Sequence, residues 1–257
     1  MVNWLFAGSI LILSIVTFAS DVVIIPRGSA KAYWQSPISQ KNKSKIQTIK
    51  VNSFKIMSSA VTVGDFKLFI KMNPNWSKDK VSKLYIDESY LEMLFNSKNS
   101  DQSPVTSVSW FVAKAYCGCV NMRVRALNEW EYVGQFSESK EDANKDERFL
   151  RRILDWYGEV KGDRLKPVKS IYKNIYGVWD MHGLIWEWVD DFNSNFVTGE
   201  SREDSSFNKD MFCGAGSLNS ADKENYAAFM RFAFRSSLTG KSSVWNLGFR
   251  CAEDVIK

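Results

Sequence analysis

The stretch DMHGLIWEWVDD, residues 180–191, places one carboxylate, Glu187, between the indoles of Trp186 and Trp188. A carboxylate held among apolar rings is costly unless a cation or a set of N–H donors reaches it. Any fold this chain adopts must therefore deliver such a partner to residue 187. Three roles fit the residue type: a catalytic acid, a metal ligand, or a buried structural carboxylate bonded to backbone or to an arginine such as Arg250. His182, five residues upstream, is the only histidine in the chain. One imidazole cannot build a His-rich metal site, so His182 is expected to be structural or on the surface.

Ten tryptophans and a 45% hydrophobic composition allow a sizeable core and mark an ordered globular chain. The net charge of +5 comes from 34 basic and 29 acidic residues spread along the sequence. No dense Lys/Arg block tracks a phosphate backbone, which argues against a nucleic-acid partner. Residues 1–20 carry no charged side chain and hold an apolar run from Trp4 to Ala19. That run is short for a membrane span, which needs about 20 apolar residues. It suits a signal peptide with cleavage near Ala19 and Ser20, although the leading Lys or Arg is missing. An uncleaved N-terminal anchor is the alternative, and the only expected route to a membrane. Either way residues 21–257 are expected to work outside the cytoplasm, in the periplasm or secreted.

Four cysteines follow, Cys117, Cys119, Cys213 and Cys251, and in an oxidising compartment they allow three full pairings. Cys117 and Cys119 are too close in sequence for a comfortable bridge to each other, and a structural role is favoured over soft-metal binding. DVVIIPRGSAKAYW reads as a strand and a turn, and NKSKIQTIKVNSFKIM as a ragged strand. Val61, Phe66, Phe69 and Ile70 recur at helical spacing behind Thr62 as N-cap. Residues 73–103 read as a long loop with a short helix near Leu91–Phe95. SWFVAKAYCGCVNM is an amphipathic helix capped by Ser109, and LNEWEYVGQ a shorter one starting near Asn128. The charge-rich residues 135–165 read as a solvated surface excursion with a helical turn or two at RFLRRILDWYG. With no linker and no repeat evident, a single domain with long loops is expected.

Three blocks in order carry a resemblance: PVTSVSWFVAKAYCGCVNMRVRALNEWEY (104–132), PVKSIYKNIYGVWDMHGLIWEWVDD (167–191), and GAGSLNSADKENYAAFMRFAFRSS (214–237), closed by NLGFRCAED (246–254). Over roughly residues 45–254 the chain resembles the formylglycine-generating enzyme family, the sulfatase-modifying-factor domain. The resemblance implies a single α+β domain with a C-type-lectin-like core, long loops and little regular secondary structure. It implies a disulfide from Cys117 to Cys251. It also implies a calcium site formed by Asp180, the carbonyls of Gly183 and Ile185, and Glu187, an oxygen set that suits this hard cation. Parity and compartment suggest a second disulfide between Cys119 and Cys213.

Catalysis is where the resemblance breaks. Oxidase members bind Cu(I) through two cysteines just after a G-G-S element, because soft thiolates select that ion. Here no cysteine lies between Cys213 and Cys251, and Ser220 and Asn225, or their neighbours if a small insertion intervenes, stand at those places. Copper oxidase chemistry is therefore not expected. RVRALNEWE keeps Arg123, Glu129, Trp130 and Glu131 of the family's R-L-P-T-E-A-E-W-E but loses its Pro, Thr and first Glu, and Cys119 replaces a usual Trp.

The chain thus reads as a non-catalytic binding or accessory factor with a protein or peptide partner. Its wording is similar to the cysteine-less members associated with nitrite reductase and periplasmic copper enzymes. Trp186, Asn219, Ser220, Tyr226, Arg231 and Arg235 are the expected groove residues. Arg231 and Arg235, four apart, would face one way and grip a partner's carboxylate, or else pair internally with Glu129 or Glu131. The alternative function is an oxidoreductase of different chemistry, with iron held largely by carboxylates or with Cys213 as the reactive thiol. A third reading is a structural envelope protein or an anchored lipoprotein, the latter without the cysteine near the end of the signal that lipid attachment needs.

Overall fold

The structure is a computed structural model that describes residues 21–31, 48–159, 164–193 and 223–255. Residues 1–20, Cys213, Asn219 and Ser220, and the readings attached to them, lie outside the described residues.

Strands β1 (Val22–Ile25), β2 (Gly28–Lys31), β3 (Thr48–Val51) and β4 (Phe54–Met57) come from the two N-terminal segments. Val22 faces Met57 and Gly28 faces Val51, so β1–β4 and β2–β3 share one register. They are two stretches of one long hairpin, interrupted where Pro26 removes a backbone donor. The two segments that each read as one strand are therefore two strands apiece. β5 (Arg123–Val124) and β8 (Cys251–Asp254) complete an antiparallel sheet of order β1-β4-β8-β5. A separate parallel pair joins β6 (Trp186–Glu187) to β7 (Leu247–Gly248).

Helix α1 (Val63–Met72) starts where expected: the Thr62 hydroxyl accepts the Asp65 N–H at 3.1 Å and the Asp65 carboxylate reaches back. Its Phe66 and Phe69 meet Tyr116 of α2 (Trp110–Cys119) with ring centroids 6.0 and 5.3 Å apart. Ser109 caps α2 by accepting the Val112 N–H. Cys117 on α2 is bonded to Cys251 on β8, so the helix is stapled to the sheet. Helix α3 (Leu127–Gly134) has no side-chain cap at Ala126. Instead the Glu129 carboxylate accepts the Ala126 N–H at 2.8 Å, and Asp191 accepts that of Leu127 at 2.6 Å.

The charge-rich residues 138–142 are exposed, as their charge suggested, but the helix after them is longer than a turn or two. Asp146 caps a twelve-residue helix, α4 (Glu147–Gly158), which buries Phe149, Leu150, Ile153 and Trp156. Its arginines occupy the outer face, so the charge run masks an amphipathic helix. Helix α5 (Lys223–Ser236) packs beside it. Residues 73–103 hold only two short 3-10 turns, Pro74–Trp76 and Met93–Phe95. Among the described residues no helix is long and apolar enough to cross a membrane.

Candidate functional site

The β6–β7 pairing sets Glu187 opposite Gly248, two residues before Arg250. Gly248 itself lies against the Val105 backbone, where a Cβ would come within 2.3 Å of the carbonyl oxygen. The Glu187 side chain is fully buried and so are those of Arg125 and Arg250. Arg250 donates Nε to Oε1 at 2.9 Å with its Nη2 2.8 Å from the same oxygen, Arg125 donates Nη2 to Oε2, and Trp130 Nε1 donates to Oε2 at 2.9 Å. Arg125 Nη1 also goes to the Arg250 carbonyl and Arg250 Nη2 to that of Trp179, at 3.0 and 2.9 Å, while Arg125 Nε has no acceptor among the described residues. Burial raises the Glu187 carboxyl, but the Arg125 and Arg250 charges with their hydrogen bonds outweigh it and hold the group below the usual carboxylate range.

These contacts weigh against the calcium expectation. Both Glu187 oxygens are occupied, and two guanidiniums around one carboxylate leave a local excess of positive charge that repels a dication. Asp180 is engaged separately. It sits at φ +56° and accepts the N–H groups of Ile171 and Tyr172 at 2.8 and 3.3 Å, and also that of Lys169, closing the 169–172 turn. Burial pushes its carboxyl up from the ordinary value, against the lowering from these amides. Gly183 turns the chain at φ +97°, while Ile185 packs with Ala60, Met93, Leu165 and Leu184. Of the roles open to Glu187, the structure shows the ion pair with Arg250, and adds Arg125.

His182 is buried. Its Nε2 lies 2.8 Å from the Gly134 carbonyl oxygen, so this nitrogen carries the proton and donates. The ring meets Trp130 and Phe149 edge to face, with centroids 5.3 and 5.7 Å away. Burial, helped by the charge of Arg231, pushes its pKa down to about 3. Above about pH 6.5 the ring is neutral in both folded and unfolded chains. As pH falls below that value only the unfolded chain takes up the proton, so stability is lost at about 1.4 kcal/mol per pH unit. We expect a loss of about 2 kcal/mol between roughly pH 6.5 and 5, above the range where ordinary carboxylates titrate. With no second histidine to share the slope, urea denaturation of wild type and His182→Gln across this range isolates it. A slope that persists in the variant would refute the assignment.

The arginines proposed to grip a partner grip the chain's own Glu131 instead. Arg231 donates Nε and Nη2 to this carboxylate at 3.0 and 2.8 Å, and Arg235 donates Nη1 at 2.9 Å. The internal alternative is the one observed, with Glu131 as the acceptor, while Glu129 pairs with Arg123. The Trp130 ring lies 4.6 Å beneath the Arg235 guanidinium while its Nε1 serves Glu187, so one indole joins both ionic clusters. Trp186 is stacked on Tyr157 of α4 and Phe234 of α5 at centroid distances of 5.1 and 4.4 Å. Tyr226 stands on α5, 40% exposed. Cys119 is exposed with a free thiol 3.6 Å from the Asn73 amide nitrogen, and its suggested partner Cys213 is not among the described residues. Sequence reasoning did not single out Arg125 or Trp130 as partners of Glu187. Their only signal was membership of the RVRALNEWE block.

A scaffold of short strands and loops, closed by a helix-to-strand disulfide around a buried W-E-W carboxylate, defines the sulfatase-modifying-factor class. Residues 16–255 match the family described as sulfatase-modifying factor enzyme 1-like domain, and the chain belongs to it. It is 31% identical over 163 residues to inactive C-alpha-formylglycine-generating enzyme 2 of Mus musculus, covering 59% of this chain and 49% of that one. It is 31% identical over 170 residues to formylglycine-generating enzyme of Streptomyces coelicolor, covering 59% and 53%. The chain spans about half the length of the curated relatives it matches. The crystal structure of CarF superposes with a TM-score of 0.50 at 14% identity, over 92% of this chain and 99% of that one, a likeness of fold alone.

Proposed function

We propose that this chain is an exported, non-catalytic binding factor that uses the sulfatase-modifying-factor scaffold to engage a protein or peptide. The carrying observation is the segment 214–237, which has no cysteine where the oxidase members resembled here place their copper-binding pair. Beyond Cys213 the chain's only cysteine is Cys251, and its sulfur is bonded to Cys117. The imidazole that an iron centre would call on is buried and committed to Gly134. The family contains relatives named as inactive, so loss of the oxidase chemistry on this fold has precedent. A buried disulfide fits an oxidising compartment and supports export. A periplasmic copper enzyme such as nitrite reductase is the proposed type of partner.

Titrating the purified protein with Cu(I) against a chromophoric chelator tests this reading. The chelator should keep the metal, and a thiol peptide with Cu(I) should elicit no oxygen uptake above the protein-free blank. Stoichiometric Cu(I) retention with thiol-dependent oxygen uptake would overturn it.

A further inference from the structure

A groove of about 850 Å³ runs along the outer side of α4, between that helix and the segment that carries Lys166, Ile171 and Gly183. Arg148, Arg151 and Arg152 line it from the first half of α4, and Lys166 faces them from the neighbouring segment. Asp155 and Glu159 line the second half, with Leu154, Trp156 and Ile171 as the apolar surface. Among the described residues no acidic group lies within ion-pair distance of Arg148, Arg151 or Lys166. Arg152 stacks over Tyr172 at 4.8 Å and gives Nη2 to Glu138 at 2.6 Å, while its Nη1 has no acceptor. Both ionic clusters of the core are closed by internal carboxylates. The three cations Arg148, Arg151 and Lys166 line this one groove.

We propose that the groove binds an acidic peptide segment of a partner, in extended form. It deepens the binding-factor reading and rests on it. From Arg148 to Glu159 the helix rises about 16 Å, the length of roughly five extended residues, which exceeds what a single small anion needs. Guanidiniums pair with carboxylates in two-pronged geometry, so Arg148, Arg151 and Arg152 select acidic side chains at one end. Leu154 and Ile171 then receive an apolar side chain beyond them. Asp155 and Glu159 disfavour further acidic residues at the far end, which fixes the direction of the peptide.

The test is fluorescence anisotropy of the full chain with a labelled peptide, Glu-Asp-Glu-Phe-Gly, and its neutral counterpart, Gln-Asn-Gln-Phe-Gly. The acidic peptide should bind and the neutral one should bind about tenfold more weakly or worse. The double variant Arg148→Glu/Arg151→Glu should lose about tenfold in affinity with an unchanged thermal midpoint, since both side chains are exposed. Failure of the acidic peptide to bind, or equal binding of both peptides, would overturn the proposal. Acidic-peptide binding that survives the double variant would move the site elsewhere and leave the binding-factor reading intact. Displacement by inorganic phosphate at constant ionic strength would make this a small-anion site and overturn the peptide assignment. The Cu(I) titration judges the wider reading independently of all these outcomes.

Discussion

Glu187→Gln will destabilise the protein by about 3–5 kcal/mol, the usual cost of removing one partner from a buried ion pair. The substitution keeps the shape of the side chain and removes only its charge. Two fully buried guanidiniums, Arg125 and Arg250, then face a neutral amide whose NH₂ group cannot accept from them. The carbonyls of Arg250 and Trp179 still accept from the pair, but they are dipoles and cannot neutralise two charges. Trp130 Nε1 also loses its charged acceptor, so the damage spreads to the helix that carries Glu131. Denaturant unfolding of wild type and variant measures the difference, and a loss under about 1 kcal/mol would contradict the ion-pair assignment. Chelation supplies a second arm. A calcium site at Glu187 predicts that EDTA mimics the substitution in wild type, whereas the ion pair predicts that EDTA leaves it unchanged.

The need for a partner at Glu187 was legible in the sequence because it follows from local chemistry: a carboxylate flanked by two indoles has to be neutralised. Which partner was not legible. Arg250 was among the alternatives, yet Arg125 reaches Glu187 only because β5 lies beside β8, an arrangement set by pairings across more than a hundred residues. Local signals fared well for the same reason. Thr62 and Ser109 cap α1 and α2 through bonds to residues three positions on, so a short window contains the whole interaction. Strands β6 and β7 are two residues each, and two residues have no periodicity to read. In α4 the buried positions 149, 150, 153 and 156 do have helical spacing, but the charged run that precedes them and the arginines among them outweighed it. The inferred calcium set meets a different difficulty. Asp180 and Glu187 are present, but in this chain three backbone amides and two arginines have taken the oxygens a cation would use.

Removing the Cys117–Cys251 disulfide as Cys117→Ala/Cys251→Ala should cost about 5 kcal/mol by the chain-entropy account of a loop of 134 residues. For a chain of this size that corresponds to a thermal midpoint lower by about 10–20 °C. Non-reducing thermal unfolding of wild type and variant measures it, and midpoints within about 2 °C would refute the entropic estimate. The position of the loop matters as much as its length. It encloses Arg125, Trp130, Glu131, His182, Glu187, Arg231, Arg235 and Arg250, every member of the two ionic clusters. Without the bridge, the unfolded chain gains the freedom to separate all these groups, while the cost of bringing them back together remains. Both cysteines are fully buried, so a thiol reductant has to wait for an unfolding event before it can attack. Wild type should therefore resist reduction under native conditions at a rate set by unfolding. Glu187→Gln should be reduced faster under the same conditions, because losing its ion pairs opens the fold more often. That coupling links the two predictions: the disulfide limits how far the chain can open, and the buried carboxylate limits how often it does.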